Sequence, residues 1–285
     1  MARTLATLLV AVSAGAVFAG GLLQAADAPE TRPGEAGRVL IVADDWKPMD
    51  VLAEFLRTRG GCTIVKAEQK DLPADLSAFA GVFMYIHRPM REPCERALVA
   101  YAKGGGRLII LHHGIASAKR ANPAWLHLTG IAIPPRDHPT HPWRVIGNTT
   151  HTLVNLAPKH YVTTHRVTYD REVAYTSPDT PTRSGRYPAL DIEKTEVFLN
   201  QQFTDGTAKT VLFGFMCTNP KTGKVIMQDR SGWLKRAGRG WVFYFQPGHC
   251  ASDFANPNYA QIVLNALTWP GPETRPPPAP GKERP

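Results

Sequence analysis

The chain has 285 residues, of which 43% are hydrophobic, and a formal net charge of +9. This length suits one large α/β domain better than two small ones, and the hydrophobic fraction is sufficient for a sizeable core. No run of five basic residues occurs, so the positive charge indicates a solvated basic surface and argues against a nucleic-acid-binding protein.

The first 28 residues have the pattern of a secretory signal peptide. Arg3 provides a positive charge, residues 5–23 are apolar and uncharged, and residues 24–28 offer small side chains to a signal peptidase. We expect a secreted or periplasmic protein with no stable membrane anchor after cleavage. An uncleaved anchor is the alternative, because the apolar stretch is near the lower length limit for a membrane span. Residues 29–37 form a polar linker to the domain.

Strands and helices alternate from residue 38 onward. Continuous apolar runs predict buried strands, and periodic apolar positions that end at glycine predict helices. The predicted strands are residues 38–43, 62–67, 81–86 and 107–111, and the predicted helices are 48–59 and 92–103. This alternation indicates an α/β fold with a doubly wound, mostly parallel sheet and helices on both faces.

The pattern is weaker in residues 130–207, which are rich in Pro, Thr, His and Arg. We expect an irregular excursion over the strand ends, where a lid or pocket wall belongs. Short extended pieces are predicted at 143–146, 161–169 and 197–199. Regular elements then return as strands 210–215 and 240–245, a turn at 221–223 and a helix at 257–269. Residues 270–285 are Pro-rich and charged, which is typical of a disordered tail.

The four cysteines are widely spaced, so they form no compact zinc or redox motif. Cys217 and Cys250 each follow a candidate strand and would form a disulfide if those strands were neighbours. Free buried thiols are the alternative.

Ligand sites in parallel sheets lie outside the carboxyl ends of the strands. That edge carries the candidates Asp44, Asp45, Trp46, His87, His112 and His113. The clearest feature is a turn after strand 107–111, where enzymes with a nucleophile elbow place Ser or Cys. His112 cannot form the usual acyl-enzyme, but it can act as a base, a metal ligand or a donor to a sugar. A structural histidine that bonds a backbone carbonyl is the alternative.

His249 leaves the last predicted strand at the same edge as His112, and two histidines from separate strands indicate a shared site. His138, His141 and His151, with a carboxylate, are candidates for a zinc-type site, although their spacing matches no compact motif. Surface or turn histidines are the alternative there. The aromatic rings of Trp46, Trp125 and Trp143 are candidates for stacking on a sugar, and burial in the core is the alternative.

These motifs, taken in order, resemble the trehalose-utilisation (ThuA-like) family. The resemblance covers residues 38–269. Its motifs are the three glycines and strand that end at His112, then Trp125 with Leu128 and Gly130, His138 or His141, His151, Glu196 in the run TEVF, residues 240–249, 256–257 and 265–269. The chain departs from the family pattern at Thr152, where Pro is expected, and at Thr195, where Asp is expected.

The resemblance implies a sheet of the class I glutamine amidotransferase-like (flavodoxin-like) group without its cysteine, so glutaminase chemistry is not expected. It also implies a role in carbohydrate metabolism, particularly with oxidised disaccharides. Under this hypothesis His112, Glu196 and His249 are catalytic. The substrate would contact His113, Trp125, Trp46 and His151, and His138 and His151 would bind a divalent metal such as zinc if one is used.

The expected partner is a small-molecule carbohydrate, and the sequence leaves open both the oligomeric state and whether the protein is an enzyme. An enzyme of this kind would be a hydrolase or isomerase of sugar derivatives. The alternatives are a non-catalytic sugar-binding or scaffolding domain, and a metal-dependent hydrolase or isomerase of a substrate other than sugar.

Overall fold

The computed structural model describes residues 37–180, 182–206 and 208–272. The predicted signal peptide, nearly all of the predicted linker and most of the predicted tail lie outside these residues. Within them, ten strands form one mixed sheet, and two short strands pair separately. No helix in this part of the chain has the length and apolar character to cross a membrane.

The strands are β1 (Arg38–Ala43), β2 (Thr63–Ala67), β3 (Gly81–Tyr85), β4 (Arg107–Leu111), β5 (Ile131–Ala132), β6 (Arg144–Asn155), β7 (Arg171–Thr176), β8 (Ser184–Leu199), β9 (Gln202–Phe203), β10 (Lys209–Thr218), β11 (Val225–Ala237) and β12 (Gly240–Phe245). The α-helices are α1 (Trp46–Gly60), α2 (Glu92–Gly104), α3 (Pro123–Thr129), α4 (Tyr161–Thr164), α5 (Ala251–Ala255) and α6 (Pro257–Thr268). Three short 3-10 helices cover Gln69–Asp71, His112–Ile115 and Ser117–Ala121.

One half of the large sheet is parallel, in the order β2-β1-β3-β4-β12. Alternate residues of β1 face opposite cores: Val39 and Ile41 pack with α1 and α6, whereas Leu40 and Val42 pack with α2 and α3. The doubly wound α/β prediction is therefore confirmed. The chain changes direction of winding between β1 and β3, and in such sheets the crevice beside this point is where ligands bind.

The other half of the sheet is antiparallel, in the order β12-β11-β10-β6-β8-β7. The prediction that residues 130–207 are irregular is wrong, because this segment contains β6, β7 and β8. The hydrophobic pattern does not reveal these strands, because the pairing of β6 with β8 shifts register twice. The shifts lie near Asn148 (φ 49°) and Lys194 (φ 54°). A bulge moves the inward-facing positions by one residue, which breaks the period of two.

Two smaller predictions also differ from the structure. Residues 161–169 begin with the helical turn α4, where the ring of His160 accepts a hydrogen bond from the Val162 N–H, so the predicted extended piece is wrong there. All four cysteines are free. Cys217 lies in β10 and Cys250 follows β12, and since β11 lies between these strands the condition for a disulfide is not met.

Candidate functional site

The turn after β4 is a strained elbow. His112 follows the strand with φ 44°, a left-handed conformation that is costly for a residue other than glycine. Gly114 permits the turn, because a Cβ there would lie 2.9 Å from the Met84 sulfur and even closer to Ile110. The predicted elbow is thus present in the geometry, and it holds His112 at the carboxyl edge of β4.

A buried glutamine fixes the orientation of His112. The His112 Nδ1 lies 2.6 Å from the Gln246 carbonyl oxygen, and because a carbonyl only accepts, Nδ1 carries the hydrogen. The Gln246 side chain accepts from the Phe198 N–H and donates to the Phe198 carbonyl. The Phe198 ring stacks on His112 with 4.5 Å between ring centroids. Gln246 therefore ties the ends of β4, β8 and β12 together and directs the His112 Nε2 toward the site.

Glu196 reaches the same place from β8. It stands one residue before Val197 and one after Thr195, within the first of the two register shifts of the β6–β8 pair. Bulges of this kind re-aim side chains and are frequent beside active sites. The Glu196 Oε2 lies 3.3 Å from the His112 Nε2 and 3.3 Å from the His113 Nε2.

His249 completes the group from the loop after β12. Its Nδ1 lies 3.7 Å from the Glu196 Oε2. The loop is held by the buried carboxylate of Asp253, which accepts hydrogen bonds from the Gly248 N–H and the His249 N–H, each at 2.8 Å. Thr195 donates to the same oxygen at 2.6 Å, so this departure from the family pattern connects β8 to the His249 loop.

The environment favours neutral imidazoles and an ionised carboxylate. Burial lowers the pKa of His112 and lowers that of His113 to about 3, against the opposing effect of Glu196. Burial acts to raise the pKa of Glu196, but its contacts with His112 and His113 outweigh burial and hold that pKa well below its usual range. The neutral imidazole nitrogens, which can accept protons, and the negative carboxylate of Glu196 therefore lie close together.

One ligand atom from each of His112, His113, Glu196 and His249 lies within 4.8 Å of the other three. Such an arrangement can bind a cation, accept a proton or donate hydrogen bonds to a polar substrate. The side chain of His249 is 44% exposed and that of Glu196 is 18% exposed, so solvent reaches the group from the His249 side.

A second polar pair forms the rim at the winding switch of the sheet. Asp44 accepts hydrogen bonds from the His87 and Arg88 N–H groups and contacts the His87 Nδ1 at 3.1 Å. The His87 ring lies 4.0 Å from the His113 ring between centroids. Beneath the loop, the fully buried Lys119 donates to the carbonyls of Ile86 and Arg88. Asp44 and Lys119 thus hold His87 against the group.

The structure brings together four of the side chains proposed from sequence, with His87 and Asp44 beside them, and places the three tryptophans elsewhere. Trp125 is fully buried, and its Nε1 donates to the Gly114 carbonyl, so it supports the elbow from within the core and offers no face for a sugar. Trp143 is buried too, with its ring 5.2 Å from that of Phe198. Trp46 begins α1, packs on the core and has the Lys66 ammonium 5.7 Å above its ring.

The predicted metal pair is not assembled. His151 is buried, its Nε2 lies 2.6 Å from the Ser231 hydroxyl, and burial lowers its pKa to about 3. His138 is in a loop where its Nδ1 accepts from the N–H groups of Thr140 and His141. Neither belongs to the group of converging ligand atoms among the described residues.

Gln246 and Asp253 are the positioning residues that sequence reasoning missed. Gln246 follows a buried strand directly, at the edge where sites are expected, and this was the one signal available for it. Asp253 lies in a short helix, and its role depends on a contact with Thr195 that is 58 residues away in sequence, so no local pattern could reveal it.

The sequence profile of the ThuA family, described as trehalose utilisation, matches residues 39–270. Among solved structures, a ThuA-like protein from Bacteroides uniformis has 15% sequence identity and a TM-score of 0.54, covering 84% of this chain and 93% of its own. A glutamine amidotransferase from Thermotoga maritima has 9% identity and a TM-score of 0.46, covering 82% and 97%. A β-galactosidase from Bacillus circulans sp. alkalophilus has 9% identity and a TM-score of 0.47, covering 78% and 30%. No curated relative matches the chain in sequence.

Proposed function

Since this chain belongs to the ThuA trehalose-utilisation family, we propose that after export it binds and converts an oxidised disaccharide or related sugar at the group formed by His112, His113, Glu196 and His249. The observation that carries the proposal is the convergence of these side chains, from three separate segments, at the carboxyl edge of the parallel strands.

The proposed chemistry is proton transfer beside a sugar carbonyl, as in an isomerase or hydrolase of sugar derivatives. A ketone activates the neighbouring C–H and C–O bonds, and a positioned base or acid accelerates the proton transfer. Glu196, kept ionised by the histidine contacts, suits the role of base. The neutral imidazoles of His113 and His249 suit hydrogen bonding to the carbonyl or to hydroxyl groups.

Glutaminase chemistry is excluded from the proposal by the residue at the elbow. A glutaminase of this fold group requires a thiol at that position, and the elbow presents the imidazole of His112. The chain's nearest thiol in sequence to the group is Cys250, whose sulfur lies 3.3 Å from Asp253 and from the Ser252 hydroxyl. Burial raises the pKa of Cys250, which disfavours the nucleophilic thiolate.

The proposal is tested by melting the purified protein with trehalose and with trehalose oxidised to a ketone at one secondary hydroxyl. A ligand at about 100 times its Kd adds about 2.7 kcal/mol, which corresponds to about 5–10 °C for a domain of this size. We expect the keto-sugar to stabilise the protein more than trehalose does. The shift should be lost in Glu196→Gln and retained in His138→Ala, whose side chain lies outside the group.

Turnover of the keto-sugar, followed by product chromatography, separates an enzyme from a binder. Turnover by the unaltered protein and by His138→Ala that is lost in folded Glu196→Gln supports catalysis, whereas binding without turnover in the unaltered protein supports the sugar-binding alternative. If neither sugar shifts the melt nor is converted, the carbohydrate proposal is contradicted. Export is tested separately by the mature N-terminus in the host, which we expect after Ala26 or after Ala28.

A further inference from the structure

We infer that His112, His113, Glu196 and His249 form a binding site for one divalent first-row transition-metal ion, with zinc as the preferred occupant. This site differs from the pair His138 and His151 that the sequence suggested. The inference does not depend on the proposed sugar substrate, since it rests on the ligand atoms of this chain alone.

The distances fit a tetrahedral ion. Zinc bonds to histidine nitrogen and carboxylate oxygen measure about 2.0–2.2 Å. The edge of a tetrahedron is about 1.63 times that bond, so neighbouring ligand atoms should lie roughly 3.3–3.6 Å apart. The Glu196 Oε2 lies 3.3, 3.3 and 3.7 Å from the nitrogens of His112, His113 and His249. Two of the three edges that share Glu196 therefore have the length that one central ion requires, and the third, at 3.7 Å, is slightly longer.

The His112 Nε2 is fully buried and makes no hydrogen bond within the described part of the chain. Its Nδ1–H is already donated to the Gln246 carbonyl, so in the neutral imidazole the Nε2 presents a lone pair. This nitrogen lies 3.3 Å from the Glu196 Oε2, which also carries lone pairs. A cation between the two atoms removes this repulsion and satisfies the buried nitrogen.

The carbonyl behind His112 is the partner that metal-bound histidines ordinarily have. A histidine ligand donates its other ring N–H to a carbonyl or carboxylate, which fixes the tautomer and makes the ligating nitrogen more basic. Gln246 supplies that carbonyl, and its own side chain is anchored to the Phe198 backbone. His112 is therefore pre-oriented as a ligand by two layers of hydrogen bonds.

A salt bridge without metal accounts less well for the group. An ion pair requires a protonated imidazole, and the His112 ring is fully buried, where a charged imidazole is costly. One carboxylate would also have to pair with three histidines. A divalent cation can bind three neutral imidazoles and one carboxylate without protonating any of the rings. A set of three nitrogens and one oxygen suits zinc better than calcium or magnesium.

Solvent has access to the site from one side. The exposed side of His249 provides a path for the ion, and the partial exposure of Glu196 and His113 leaves room for a further ligand on the same side. Zinc can expand from four to five ligands. A metal here would therefore be able to contact a substrate oxygen.

The test is a zinc titration of the purified full chain after chelator treatment, with bound metal measured by mass spectrometry and affinity by competition calorimetry. We expect one equivalent of zinc per chain. Glu196→Gln and His249→Ala should each weaken binding by more than the roughly 10–100-fold that loss of an outer-shell partner costs. His138→Ala is the matched control and should bind as the unaltered protein does, because that part-exposed histidine lies outside the group.

Circular dichroism of the metal-free variants separates lost ligation from lost folding. Both substitutions are mild, since Gln has the shape of Glu and His249 is partly exposed. Cobalt provides a second readout, because a tetrahedral Co²⁺ site absorbs visible light and this band should be absent in folded His249→Ala. No zinc bound at equimolar concentration, or equal affinity in folded Glu196→Gln, overturns the inference. Neither result affects the sugar proposal, which melts of the metal-free protein test independently.

Discussion

Removing the charge of Asp253 should destabilise the fold and loosen the site together. Its Oδ2 is fully buried and accepts three hydrogen bonds, from the Thr195 hydroxyl at 2.6 Å and from the N–H groups of Gly248 and His249 at 2.8 Å each. In Asp253→Asn the side chain keeps its size. Its carbonyl oxygen is neutral, so the three donors keep only weaker bonds, and its NH2 group cannot accept from the Cys250 thiol as the Oδ1 of Asp253 does.

The magnitude follows from that count. A hydrogen bond to a charged group contributes about 1.5–3 kcal/mol, and a buried donor left without a partner costs about 1–3 kcal/mol. Because these contributions overlap, we expect a loss of about 2–4 kcal/mol in the free energy of unfolding. At roughly 2–4 °C per kcal/mol this lowers Tm by about 5–15 °C.

Urea unfolding followed by fluorescence measures this loss directly. Ser252→Ala is the neighbouring control, and as an exposed position it should stay within about 0.5 kcal/mol of the unaltered protein. The same Asp253→Asn protein should bind zinc more weakly, because the His249 backbone is no longer held. A change below about 0.5 kcal/mol in Asp253→Asn would refute the reasoning that this carboxylate joins β8 to the His249 loop.

Three further predictions concern packing, the loop beneath the site and the thiols. Gly240→Ala should lower the free energy of unfolding in urea by about 1–3 kcal/mol or more, because its Cβ would meet backbone atoms of residues 102–106. Gly104→Ala faces open space and should be neutral or stabilising. Equal effects of the two substitutions would contradict this reasoning. Lys119→Met leaves two buried carbonyls without their donor and should lower the free energy of unfolding by about 2–4 kcal/mol. The NMR signals of His87 should change as well. Unchanged stability would contradict this prediction. Ellman's reagent should titrate one thiol, that of the part-exposed Cys250, in the native protein and all four cysteines in denaturant; a denatured count of two would indicate a disulfide.

The parallel half of the sheet could be predicted because its residues carry the signals of buried strands. β1, β3, β4 and β12 are short continuous apolar runs, and the helices between them have clear periodicity and capping. Asp45 caps α1 by accepting from the Lys47 N–H, and Asn256 caps α6 in the same way. These signals are local, so the sequence contains them in full.

Apart from β10 and short pieces of β6 and β8, the antiparallel half could not be predicted because its information is not local. β6 and β8 run 12 and 16 residues, and their bulges at left-handed Asn148 and Lys194 interrupt the alternation that marks a strand. Their pairing also joins segments about 45 residues apart. One bulge has a consequence for function, since Glu196 lies within this register shift and reaches the site from there.

The candidate site was predicted in part for the same reason. His112 and His249 were identified because they leave apolar strands at one edge, a feature visible in the sequence. Glu196 was identified through a family resemblance, because its own surroundings are unremarkable. The prediction that Trp125 contacts a sugar is wrong, because its side chain is fully buried. The sequence around a tryptophan near the elbow does not distinguish a core position from a pocket position.

The most direct measurement of the central claim is a crystallographic difference map of the protein soaked in the keto-sugar. We expect sugar density at the carboxyl edge of β4 and β12, within hydrogen-bond distance of Glu196 and His249. Density in another place would contradict it, for instance in the cleft of ≈ 360 Å³ lined by Arg136, Trp143, Arg144 and Val145. In that case the four converging side chains would not be the sugar site of this protein.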